Sequence, residues 1–367
     1  MRKVLFGITS LGLGGAERVL VDIVNKLGSK YDITIFTIYS NGEMEKQLNP
    51  NVKLKSLINK RYEDLSKMEK VLVPIKIMLG RKNIYKKNIK QDYDIEIAFL
   101  EGPVTRLFVC KNNQAKKVAW VHNDITKVFG SGIKASIKKK TDKKIYASYD
   151  KLIFVSKDNK DKFEQVYKLD NSKEVIYNYI DIDAVIEKSN SKMDIEFEKN
   201  TLNIVTVARL VEQKAIDRLV NVHSKLMENG LEHKIYVIGD GPERANLESV
   251  IQEKKVSNSF ILLGKRENPY PYIKNADCFA LLSNFEGYPM VLLEAQILEK
   301  FIIITDTAAR ETLQNYENCM IVGNNEEDIY NGLKNVIANK DFGNANTNKY
   351  NNADIIESIE KVIKGEI

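Results

Sequence analysis

The chain has 367 residues, 43% of them hydrophobic and 29% charged, which points to a globular protein with more than one core. No apolar run is long enough to span a bilayer, and Val4–Ile8 followed by glycines reads as a buried first strand, not a signal peptide. Cys110, Cys278 and Cys319 are scattered without metal or disulfide spacing, as expected of a reducing compartment.

The net charge of +6 conceals a split, with 35 Lys+Arg against 20 Asp+Glu in residues 1–180 and 21 against 30 in residues 181–367. A basic front half implies an anionic partner. Nucleic acid is disfavoured, because no zinc spacing, helix-turn-helix or aromatic-interleaved basic motif accompanies the charge. A membrane surface fits better.

Buried strands alternate with helical patterns, which predicts βαβ units and parallel sheets. The strand Val4–Ile8 runs into Gly12-Leu13-Gly14-Gly15-Ala16-Glu17-Arg18, which opens a helix from about Ala16 to Leu27. Glycines let the backbone approach a bulky ligand, and helix N–H groups favour phosphate or hydroxyl oxygens. The spacing is not the dinucleotide G-x-G-x-x-G fingerprint, so nicotinamide binding is disfavoured. After the strand Ile33–Ile38, residues 65–90 mix apolar side chains with Lys67, Lys70, Lys76, Arg81, Lys82, Lys86 and Lys87. Such a segment suits either a lipid headgroup layer or a core-packed helix with a solvated lysine face.

Further strands are expected at Ile95–Leu100, Lys117–Val121, Leu152–Val155 and Glu174–Tyr177. His122 closes the third of the strands named here so far beyond Val4–Ile8, and an imidazole at a strand's C-terminal end can reach a ligand. The other histidines, His223 and His233, are expected near a helical surface. Asp92-Tyr93-Asp94 and Asp181-Ile182-Asp183 are D-x-D strings, but at a strand entry and a linker they favour ordinary polar roles over metal binding.

Residues 181–200 are polar and lack a buried run, which marks a linker between a domain 1–180 and a domain 201–353. In the second half, strands Leu202–Val207, Lys234–Ile238, Phe260–Leu263, Cys278–Leu282 and Phe301–Thr305 alternate with helices near Ala215–Asn229, Glu243–Lys254, Tyr270–Asn275 and Met290–Leu298. Arg209 ends the first of these strands and Lys214 follows, a pair able to neutralise a diphosphate leaving group. Glu286 and Glu294 bracket Gly287-Tyr288-Pro289-Met290-Val291. With Pro289 at the first helical position, the leading N–H groups point outward to bind anions or hydroxyls. Glu286 then stands at the helix mouth and Glu294 about two turns inside on nearly the same face, one for sugar hydroxyls and one for a ribose. The patch 339–352 reads as a surface connection, and a last helix, 354–367, is placed to cross back to the first domain.

These residues, in order, resemble family four retaining glycosyltransferases of the GT-B architecture, with two Rossmann-like doubly wound α/β domains facing across a cleft. The resemblance rests on Gly14-Gly15-Ala16-Glu17, Trp120-Val121-His122, Val155-Ser156, Ile176-Tyr177-Asn178, Ala208 through Lys214, Gly239-Asp240-Gly241-Pro242-Glu243, and Glu286 through Glu294. It implies metal-independent transfer of a hexose or N-acetylhexosamine from a nucleotide diphosphate sugar, UDP-sugar favoured, with retained configuration. Arg209 and Lys214 would grip the diphosphate, Glu286 the hexose and Glu294 the ribose, while Gly14, Gly15, Gly239 and Gly241 would line the donor and His122 the transferred sugar. Neither cofactor nor metal is expected. The expected partners are a lipid-linked glycan acceptor, the anionic inner face of the cell membrane and a second copy of the chain. The chain departs from the family where glycine is common at Tyr179, Ala208 and Ala215, at Glu299-Lys300-Phe301 in place of Gly-x-Pro, and at Ala308-Ala309 in place of Gly-Gly. A GT-B-fold UDP-sugar epimerase, or a non-catalytic sugar-nucleotide-binding subunit, are the competing readings.

Overall fold

Short runs of β-branched and apolar residues pair side by side, always in parallel, each joined to the next by a crossover. The computed structural model describes residues 1–90, 92–110, 114–128, 133–339 and 351–366. Among them the chain divides into two compact units, Met1–Ile180 with Asn352–Ile367, and Asp181–Asn351.

The first unit contains β1 (Lys3–Ile8), β2 (Asp32–Tyr39), β3 (Lys53–Ile58), β4 (Ile95–Ala98), β5 (Lys116–Val121), β6 (Lys151–Phe154) and β7 (Ser172–Val175). They form one sheet in the order β3-β2-β1-β4-β5-β6-β7. The register aligns Val4 with Ile33 on one side and with Ile95 on the other. The second unit contains β8 (Leu202–Val207), β9 (His233–Ile238), β10 (Phe260–Gly264), β11 (Cys278–Leu281), β12 (Phe301–Thr305) and β13 (Cys319–Val322), in the order β10-β9-β8-β11-β12-β13. Parallel strands covered on both faces read as continuous apolar runs, and the central strands here do. The edge strands β3 and β13 were not expected from the sequence. In β3, Lys53, Lys55 and Ser56 interrupt the apolar run that betrays a buried strand, and β13 is apolar but only four residues long.

In each sheet the strand order reverses once, between β1 and β4 in the first and between β8 and β11 in the second. Crossovers leave in opposite directions there, and the diverging loops open a crevice at the carboxyl ends of the strands, where doubly wound sheets bind ligands.

A charged cluster lies inside the first unit. Lys117 Nζ donates to Glu96 Oε2 at 2.6 Å and to the Tyr85 hydroxyl at 3.0 Å, and Tyr85 donates to Glu96 Oε1. Glu96 and Lys117 are buried, so each satisfies what the other would otherwise leave unpaired. The helix Ala353–Lys364 belongs to this unit, burying Ile359, Val362 and Ile363. Its Glu360 pairs with Lys30 at 2.5 Å, and Lys116 Nζ donates to the Gly365 carbonyl at 3.1 Å.

Residues 181–200 are not an unstructured connection. Asp181 caps a helix, Ile182–Ser189, by accepting from the Ala184 N–H at 3.0 Å, and that helix packs on the helices Tyr270–Asn275 and Met290–Ile297. Capping also explains why one D-x-D string sits there. In the other, Asp94 accepts from the Lys3 N–H at 2.7 Å, tying β1 to the entry of β4. His223 and His233 are not near the surface. Both are buried and bonded to each other, Nδ1 to Nε2, at 2.8 Å. Most of the connection 339–352 lies outside the described residues.

Candidate active site

The loops leaving β8 and β11 are neighbours because those strands pair at the reversal of the second sheet. Arg209 stands two residues beyond β8 and is exposed, with no ion-pair partner among the described residues. Lys214 follows in a 3-10 turn, Glu212–Lys214, and its Nζ lies 2.5 Å from Glu286 Oε1. The Ser283 hydroxyl donates to the same oxygen at 2.6 Å. Two backbone-directed bonds fix the loops together, Gln213 Nε2 to the Phe285 carbonyl at 2.9 Å and the Asn284 N–H to the Gln213 carbonyl at 2.9 Å. The carboxylate of Glu286 is therefore held by a cation and a hydroxyl at a nearly buried position, 8% exposed.

Glu286 does not share a helical face with Glu294. The helix begins only at Met290, with Pro289 as its N-cap, so Glu286, Gly287 and Tyr288 lie in the loop ahead of it. No side chain caps that helix start. Pro289 holds an extended φ of −74° and ψ of 123°, so the turn stops one residue later than a proline at the first helical position would allow. Glu294 is buried within the helix and accepts from the Tyr270 hydroxyl at 3.1 Å.

Gly239 and Gly241 serve the loop that carries Arg209. A Cβ on Gly239, whose φ is +144°, would lie 1.9 Å from the Ala208 carbonyl oxygen, and one on Gly241 would lie 2.3 Å from that of Leu210. Leu210 N–H donates to the Asp240 carbonyl at 3.0 Å and Glu243 N–H to the Leu210 carbonyl at 3.1 Å. Two loops thus interlock through backbone alone, and only glycine fits. Ala215 and Glu299, where the family favours glycine, keep left-handed φ values of 48° and 56°. The loop path survives the loss of glycine, with the strain borne by an alanine and a glutamate.

In the first unit, Gly14 caps the helix Gly15–Leu27 beyond β1, with no side-chain cap, and Gly15 is exposed. His122 follows β5. Its ring lies 4.8 Å from that of Phe99 and burial drives the imidazole down to about 3, so it is neutral at physiological pH. Its Nε2 is buried without a partner among the described residues. The sequence reading missed what holds it. Glu101, just beyond β4, accepts from the N–H groups of His122 at 2.6 Å and Asn123 at 2.8 Å, and from Asn123 Nδ2 at 2.9 Å. Ser156 caps the helix Lys157–Tyr167, whose Asn159 donates to the His122 carbonyl at 3.0 Å. An acidic residue directly after Phe99-Leu100, at the carboxyl end of an expected strand, was the available signal.

Among the described residues no group of three or more His, Cys, Asp or Glu side chains is arranged to hold a metal ion.

Two all-parallel doubly wound units of this strand order define the GT-B class of transferases. The sequence agrees, because the profile of Glycosyltransferase Family 4 matches residues 13–184 and that of Glycosyl transferases group 1 matches residues 187–362. The chain belongs to this glycosyltransferase family. It is 26% identical over 362 residues, 95% of this chain and 94% of the other, to an N-acetylgalactosamine-N,N'-diacetylbacillosaminyl-diphospho-undecaprenol 4-alpha-N-acetylgalactosaminyltransferase of Campylobacter jejuni. It is 28% identical over 216 residues, 57% of this chain and 53% of the other, to an uncharacterized glycosyltransferase of Methanocaldococcus jannaschii, MJ1059. Anabaena Alr3699/HepE, solved in complex with UDP and glucose, superposes with a TM-score of 0.75 over 99% of this chain and 100% of the other, at 16% identity. Sucrose-phosphate synthase of Thermosynechococcus elongatus gives 0.79 over 100% and 99%, at 12% identity.

Proposed function

We propose that this glycosyltransferase moves a hexose or N-acetylhexosamine from a UDP-sugar to a lipid-linked acceptor in polysaccharide biosynthesis, with retained configuration and without a metal. The second unit binds the donor and the first unit the acceptor, at the inner face of the cell membrane. The observation that carries this reading is the placement of Arg209, Lys214 and Glu286 on the two loops that diverge at the β8/β11 reversal.

Charge builds on the diphosphate as the anomeric C–O bond breaks. The guanidinium of Arg209 and the ammonium of Lys214 stabilise it, aided by the uncapped helix start at Met290 and Val291. Because Lys214 and Glu286 touch, one pair presents a cation to the phosphates and a carboxylate to the sugar hydroxyls. Glu294, oriented by Tyr270, holds the ribose. On the first unit, Gly14 and Gly15 offer backbone amides at a helix start and His122 a neutral imidazole at the end of β5, groups suited to phosphate and hydroxyl oxygens. The acceptor oxygen attacks from the face the phosphate leaves, and its proton passes to the departing phosphate oxygen, so no protein nucleophile takes part. The Campylobacter relative, named for a diphospho-undecaprenol substrate, and the UDP complex of HepE support the choice of acceptor and donor classes.

Binding of UDP followed by calorimetry tests the reading. Arg209→Ala should weaken UDP binding by roughly tenfold to a hundredfold, the value of a hydrogen-bonded charge. Glu286→Gln should retain UDP binding yet lose most transfer from UDP-sugar. Undiminished UDP affinity in Arg209→Ala, or no UDP binding by the wild type, would overturn it.

A further inference from the structure

The helix Lys67–Asn88 is apolar on two opposite sides. One side buries Ile77 and Tyr85 and packs Val73 and Ile84 against the core of the first unit. The other carries Met68, Val71, Leu72, Ile75 and Leu79, all exposed, with Met68 at 71% and Leu79 at 79%. Their spacing of three and four residues puts them on one stripe. Isolated exposed apolar side chains are ordinary, but a continuous solvent-side stripe on a packed helix marks a contact surface.

The charge around the stripe identifies the partner. The sole carboxylate of this helix, Glu69, is consumed at its start, accepting from Ser66 and from Lys60 at 3.1 Å. The helix Ile133–Tyr146 is similar, because its one acid, Asp142, is taken by Arg106 at 3.0 Å. Between these helices lies a pocket of about 480 Å³, lined by Arg81, Lys140 and Lys144 with the Ser148 side. Among the described residues no carboxylate pairs with any of those three cations. A pocket with three unneutralised cations and no acid suits a phosphate monoanion or diester, and its proximity to an apolar stripe on the same helix suits a phosphate attached to acyl chains.

We propose that the first unit docks on an anionic bilayer through the stripe Met68–Leu79, with a lipid headgroup phosphate seated among Arg81, Lys140 and Lys144. This rests on the membrane-facing part of the reading above and names the surface that serves it. The stripe enters the acyl boundary, the flanking lysines meet the headgroups, and the pocket fixes the helix against rotation about its own axis.

Sedimentation with vesicles of phosphatidylcholine, alone or with about one quarter phosphatidylglycerol, tests it on the full chain. Wild-type protein should partition onto the anionic vesicles and not onto the neutral ones. Removing one cation, as in Arg81→Gln or Lys144→Gln, should weaken partitioning about fivefold. Leu79→Ser should weaken it about tenfold. All three positions are away from the donor loops, so UDP binding serves as the control for folding and should not change. Variants that partition like the wild type would overturn this surface while leaving a membrane role intact. A wild type that ignores anionic vesicles yet binds UDP would overturn the docking and spare the donor site.

Discussion

A chain of hydrogen bonds through His233, His223 and Ser259 fixes the protonation of two imidazoles. The Leu231 carbonyl can only accept, so His233 Nδ1 carries the proton at 2.8 Å and its Nε2 is left to accept from His223 Nδ1. His223 Nε2 in turn accepts from the Ser259 hydroxyl at 2.8 Å. A second proton on His233 would set two donors against each other, and one on His223 would turn the Ser259 hydroxyl away to its longer bond with the Val256 carbonyl at 3.3 Å. Burial holds His223 at about 3, like His122, and lowers His233. A neutral group with a depressed folded value contributes stability that is complete above the unfolded value of 6.5 and is lost as pH falls from there toward 3. At pH 5 the loss is about 2 kcal/mol for each of His122 and His223. Burial raises the carboxyls of Glu17 and Glu101 above 4.5, and their proton uptake in the folded state offsets part of that loss. Denaturant unfolding should therefore give a lower stability at pH 5 than at pH 7.5, and a smaller drop in His223→Gln. An equal drop in the variant would refute the assignment to this chain of bonds.

Elements differ in how openly the sequence declares them. Central strands such as β1, β8 and β12 were legible because burial on both faces demands an unbroken apolar run. Helix starts with a serine or aspartate cap were equally visible in type, yet Asp181 was read as linker because its helix buries only a narrow strip. The Glu96–Lys117–Tyr85 cluster was illegible, since Lys117 reads as a strand's polar entry and nothing in the sequence says it is 4% exposed. Its partners come from β4, β5 and the helix Lys67–Asn88, which only the topology brings together. Lys117→Met should cost 3–5 kcal/mol, roughly the penalty for leaving a buried carboxylate without its cation. Pairing it with Glu96→Gln should recover much of that loss, as judged by chemical denaturation. Of the donor loops, the charged residues were legible and their contacts were not. Spacing alone pointed to a shared helical face for Glu286 and Glu294, whereas the true partner of Glu286 is Lys214, 72 residues earlier.

At the scale of the whole molecule the fold class was written in the alternation of strands and helices, but strand order was not. Which strand neighbours which depends on crossover direction, and that is decided by packing between elements far apart in sequence. The two reversals follow from it, and with them the placement of every charged donor residue. The helix Ala353–Lys364 shows the same dependence, since it buries Ile359, Val362 and Ile363 in the first unit, with Val362 beside Ile95 and Val118. Deleting residues 352–367 should destabilise the first unit by several kcal/mol, about 1.5–3 for each buried aliphatic side chain. The second unit should keep its UDP response, and calorimetric scans would separate the two transitions. A single unchanged transition would refute the assignment of that helix.

The return of this helix also orders events at the ribosome. The entire second unit, Asp181–Asn351, is synthesised between the first unit's two pieces. Until the helix Ala353–Lys364 is made, the apolar surface that Val362 meets beside Ile95 and Val118 stays unsealed, so termination before it yields an aggregation-prone product, not a shorter enzyme.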